Sequence, residues 1–131
     1  NNEVFVVQMV DLDPQSPDII AGTSTVVETT ISTIERTSVG SLADPNVMAI
    51  ARRAILMDAG SVDGCPFTSD LPLMAAPQMD YLAIIATDDF FVNIEGFSNT
   101  NAKRVEGRIW GYRAKADAAT YAALVQSELL S

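Results

Sequence analysis

The chain has no histidine and a single cysteine, Cys65, among its 131 residues. The first absence removes the commonest zinc ligand and the commonest general base together, and the second excludes an intramolecular disulfide. No phosphate-binding loop, dinucleotide fingerprint, Gly-x-Ser-x-Gly elbow or zinc spacing occurs, and there is no internal repeat. No apolar run approaches the roughly 20 residues of a membrane-spanning helix, so no membrane insertion is expected. Asn1-Asn2-Glu3 shows neither the basic start nor the apolar block of a signal peptide, and the lack of an initiating methionine implies that something upstream was removed.

Basic residues are also scarce, 8 against 17 acidic ones, for a net charge of −9. A field of that sign repels nucleic acid and anionic lipid, so neither is expected as a partner. The few cations are unevenly placed. Residues 103–115 hold five of the eight, with Glu106 the one acid among them, which makes that segment +4 and the remainder −13. A basic segment on an acidic body suits attraction between copies of the same chain.

Hydrophobic residues make up 48% and charged residues 19%, the usage of an ordered globular chain, and the length suits a single domain over 1–131. Valine-rich Glu3 to Leu12 reads as a strand covered on both faces. Residues 14–22, with two prolines and a glycine, read as a turn or crossing loop. Residues 23–39 are ambiguous. Their Thr, Val and Ile content favours strand, whereas Val27, Ile31 and Ile34 fall on one helical face and Thr25 and Glu28 have capping-box spacing. Strand is the better reading.

Asp44, Pro45 and Gly60 bracket a stretch with the punctuation of a helix: an N-cap, a first-position proline and a residue just past the end. Val47, Ala51, Ala54 and Met57 supply an apolar stripe at helical spacing. Residues 61–78 lack periodicity, contain Pro66, Pro72 and Pro77, and read as a long arm or lid whose Leu71, Leu73 and Met74 need a surface to rest on. Residues 79–113 read as a three-strand meander, and a helix capped by Asp117 closes the chain with Ala118, Tyr121, Ala122, Val125 and Leu129 on one face. The expected class is α+β, an antiparallel sheet of the N-terminal strand and this meander packed against two helices.

Alternation in the last strand sets Arg104, Glu106, Arg108, Trp110 and Tyr112 on one face and Val105, Gly107, Ile109 and Gly111 on the other. The first face mixes cation and aromatic as protein interfaces do; the plainer alternative is an ordinary sheet surface with Trp110 capped by arginine stems. Asp88 and Asp89, with Asp80 and Glu95 nearby, form a carboxylate group, though adjacent aspartates are also simply good turn residues. Asp11, Asp13, Ser16 and Asp18 imitate calcium-loop spacing but lack its glycine and closing glutamate. Cys65 has no neighbouring cation or histidine to generate a thiolate.

The sequence therefore supports no catalytic residue, metal or cofactor. It favours a noncatalytic homo-oligomer joined head to tail, such as a virion, phage-tail or extracellular filament component, and a virion or extracellular setting over the cytoplasm. The expected interaction face is Arg104, Arg108, Trp110 and Tyr112 with Leu71, Leu73 and Met74. The alternative is a domain that binds a protein or small ligand with residues 61–78 as its lid.

Overall fold

A computed structural model describes residues 3–58, 63–69, 73–75 and 81–130. The described chain forms eight strands, β1 (Glu3–Pro14), β2 (Thr25–Ser32), β3 (Val47–Met57), β4 (Gly64–Ser69), β5 (Leu73–Met74), β6 (Ala83–Ile85), β7 (Phe91–Phe97) and β8 (Val105–Lys115), and one helix, α1 (Ala118–Leu130). Sheet I is organised on β1, which pairs along its whole length with β8 and, on its other edge, with β6 and β5 in succession. Sheet II has the order β4-β3-β2-β7, and every pairing in both sheets is antiparallel.

The sheets pack face to face. Val7, Val10 and Leu12 of β1 and Ile85 of β6 meet Ile31 of β2 and Met48, Ala49 and Ala51 of β3 in one core cluster. A register shift between Val7 and Met9 explains how β1 serves this core from both halves. The extra residue reverses the alternation, so that Phe5 and Val7 before it and Val10 and Leu12 after it all face inward. On the outer side Val4 and Val6 are covered by Tyr121, Leu124 and Val125 of α1. Both faces of β1 are thus buried over Val4 to Val7, as the valine run implies, whereas beyond the shift the outer face, with Met9, Asp11 and Asp13, is partly open to solvent. β8 has Gly111 opposite Val7, where an added Cβ would run into the Val6 carbonyl oxygen and stand 2.7 Å from the Phe5 ring, so glycine is what lets that ring lie across the strand.

The class is mostly β, not α+β, and two expected features are replaced. Residues 47–57 are a central strand rather than a helix. Asp44 and Pro45 open a tight turn: Val47 N donates to Asp44 O at 3.1 Å and Ser41 N to the Asp44 carboxylate at 2.9 Å. Asp and Pro favour the start of a turn and of a helix for the same reasons of φ and side-chain acceptance, so the punctuation did not discriminate. Hydrogen bonding to β2 and β4 on both edges then overrides the helical propensity of Ala, Met and Arg.

The meander is likewise absent. β6 and β8 both join β1, whereas β7 joins β2 in the other sheet, so three successive strands alternate between layers. Within 61–78 the described residues form β4 and β5 rather than an arm; Leu71 lies outside them. The strand reading of 23–39 is met by β2 over Thr25–Ser32. Its buried threonines are satisfied, Thr25 Oγ1 donating to Asp18 O at 2.7 Å and Thr29 Oγ1 to Ala51 O at 3.2 Å. Asp117 caps α1 by accepting from Thr120 N at 2.8 Å, and this bond holds its carboxyl below the usual range.

Candidate functional site

Sheet I presents a row of large side chains on its outer face. Directly opposed residues share a face, and the pairings Met74–Met9 and Met9–Trp110 carry one line across β5, β1 and β8. Tyr112, opposite Val6, extends the row toward α1, and Arg108 extends it the other way with its guanidinium carbon 5.7 Å from the Trp110 ring centroid. Met74, Trp110 and Tyr112 are 62%, 39% and 48% exposed, which is unusual for adjacent side chains of this size. The fold therefore brings Arg108, Trp110, Tyr112 and Met74 together, and adds Met9, which the sequence reading had placed in a wholly buried strand. Leu73 pairs with Val10, a position of the inward register, and Leu71 lies outside the described residues.

The cations of residues 103–115 do not make a positive patch. Lys103 donates to Asp18 at 2.6 Å in a nearly buried ion pair, Arg108 stands opposite Asp11, and Lys115 stands opposite Glu3. Arg104 shares a polar notch with Arg53, Asp13 and Glu106, where Arg53 bonds Asp13 at 2.8 Å. Four of the five basic groups thus have an acid in an ion pair, across the ladder or in the same notch, and Arg113, opposite Phe5, lines the cleft together with Glu3, Asp88 and Asp89. The Asp18 carboxylate also accepts from Thr100 N, Thr100 Oγ1 and Asn101 N at 2.9–3.1 Å, and these bonds, Lys103 foremost, hold it far below the ordinary carboxylate range. Asn99 completes this knot, accepting from Asp18 N and donating to Val26 O. Of the residues with calcium-loop spacing, Asp18 belongs to this tie between the 15–24 loop and the turn after β7, while Asp13 bonds Arg53 and Asp11 stands opposite Arg108.

Sheet II has a second apolar row on its own outer face. The pairings Phe67–Ala54, Ala54–Val26 and Val26–Phe97 run across all four strands. Phe67 and Phe97 are 52% and 41% exposed, and Leu56 beside them is exposed as well. Sequence reasoning missed this row because it needed the register of strands distant in sequence, one of them read as helix.

The remaining candidates disperse. Asp88 and Asp89 stand at the mouth of a cleft of about 1120 Å³ between the sheets, whereas Glu95 lies on the outer face of sheet II and accepts from Val39 N at 3.1 Å. Asp80 lies outside the described residues. Among the described residues no three acidic, cysteine or histidine side chains form a metal-holding group, and no helix is long and apolar enough to cross a membrane. Cys65 is exposed on β4. The cleft is bounded by β8 and β7, while β4 is at the opposite edge of sheet II and β5 pairs with β1 on the side away from β8. The described part of 61–78 is therefore not placed to cover it.

Fold and surfaces together define an antiparallel β-sandwich with an apolar row on each outer face. No protein-family model, curated protein or solved structure matches the chain.

Proposed function

We propose that the chain is a noncatalytic self-assembly module whose copies stack head to tail, the outer face of sheet I on one copy against the outer face of sheet II on the next. The carrying observation is the pair of chemically different apolar rows, Met74–Met9–Trp110 and Phe67–Ala54–Val26–Phe97, on surfaces that point away from each other. Two unlike, oppositely directed patches favour a heterologous contact, which continues as a filament or closes as a ring according to the rotation between neighbours. Trp, Tyr, Met and Arg are also the side chains enriched at the centres of protein interfaces. The net charge of −9 supports a protein partner over nucleic acid. Repetition of such a contact suits a virion, phage-tail or extracellular filament component.

The test is complementation between two blocked variants. Trp110→Lys disables one face and Phe67→Lys the other, and each alone is expected to be monomeric by light scattering where the parent forms larger species. Mixed, they retain one compatible pair of faces and should give a dimer that grows no further. A parent that stays monomeric at every concentration sinks the proposal, and so does a mixture that fails to pair.

A further inference from the structure

The cleft between the sheets carries a separate inference, independent of the stacking reading. Its floor is apolar and built from both layers: Leu12, Ile31, Ile85, Val92, Val105 and Ile109. Five consecutive residues of β8, Val105 to Ile109, line it, so the strand contributes its backbone edge as well as its inward side chains. β8 pairs only with β1 and β7 only with β2 among the described residues, which leaves the edges of both strands without a ladder partner. Val92 is opposite Ile31, a position facing the core, yet is 47% exposed, and Phe90 beside it is equally exposed. An inward-facing side chain that is half in water, between two unpaired strand edges, marks room for one further strand.

We infer that this cleft binds an extended polypeptide strand of another protein, antiparallel to β8, apolar at alternate positions and basic at its N-terminal end. The periodicity follows from a wall of sheet geometry, in which every second side chain of the guest faces the floor. Its polarity follows from the rim. Glu3, Asp88 and Asp89 outnumber Arg113 and Lys115 at one end of the cleft, the end toward which β8 runs, so an antiparallel guest enters with its N-terminus among carboxylates. Backbone pairing then supplies affinity, and the acidic end fixes direction. A guest running from Val105 to Arg113 needs about nine residues at roughly 3.3 Å each.

The probe is a synthetic peptide of two lysines followed by alternating valine and threonine, titrated into the full chain by calorimetry, with hydrogen exchange followed on β8. Binding with slowed exchange at β8 amides is expected. Exchanging the lysines for glutamates, or Asp88→Lys with Asp89→Lys in the protein, should weaken it about tenfold or more by placing like charges together. Val92→Arg, whose guanidinium can reach water from this half-exposed position while its charge interrupts the apolar floor, should abolish it. A peptide N-methylated throughout its backbone must fail; if it binds equally well, strand pairing is wrong. No binding of the parent peptide, or entry of palmitate in its place, overturns the inference, and assembly lost in Trp110→Lys but kept in Val92→Arg separates it from the stacking contact.

Discussion

Asp18 illustrates how one side chain fixes a junction that the local sequence leaves undefined. Its carboxylate faces the Lys103 ammonium at 2.6 Å and two backbone N–H groups, and so ties the 15–24 loop to the segment entering β8. Because these donors lower its folded pKa beneath the ordinary value near 3.9, the folded state releases this proton more readily than the unfolded one. The resulting stabilisation is complete above the unfolded value and is lost as pH falls from about 5 through that value toward the folded one. Asp18→Asn should therefore lower the urea midpoint at neutral pH and show a shallower decline between about pH 5 and pH 2 than the parent. Parallel curves for the two proteins would remove the pair from the acid response.

At the scale of elements, β3 is the informative case. Ala49 and Ala51 face the core where β1 crosses, and both are 2% exposed, so small side chains there set how closely the two sheets approach. Ala51→Leu would be close to neutral by propensity on a helical surface, but in this packed interior it forces side chains off their rotamers at about 1–3 kcal/mol. A urea midpoint unchanged by the substitution would contradict the central position of β3. Much else was legible. The faces of β8 follow from strict alternation, the valine run marks the first half of β1, Val4 to Val7, as covered on both sides, and Asp117 announces α1. On α1, however, Tyr121, Leu124 and Val125 make the contact, while Ala118 and Ala122 on the expected stripe are exposed. What stayed hidden was pairing over long sequence separation: which sheet takes β7, where Met9 turns outward after the shift in β1, and that Lys103 has Asp18 rather than a second copy as its counterion. Periodicity reports the face of a residue, but the identity of the neighbouring strand is fixed by tertiary packing.

For the whole molecule the arrangement of charge changes the expected response to salt. Uneven charge along the chain suggested an electrostatic contact, which added salt would weaken. In the fold, Lys103, Arg108 and Lys115 each stand beside an acid of the same chain, and the rows on the two outer faces are apolar. What remains between approaching copies is the repulsion of two bodies of charge −9. Screening shortens its reach to about 10 Å at 0.1 M and about 3 Å at 1 M, while burial of the aromatic rows is little affected. Assembly should accordingly increase with sodium chloride. Light scattering at about 0.01 M and 1 M decides the point, because the field then reaches some 30 Å in one case and 3 Å in the other. A rise in molar mass, absent in Trp110→Lys, assigns the contact to the aromatic face; a fall would return it to complementary charge, with Arg104, Arg108 or Arg113 meeting the acidic surface of a neighbour.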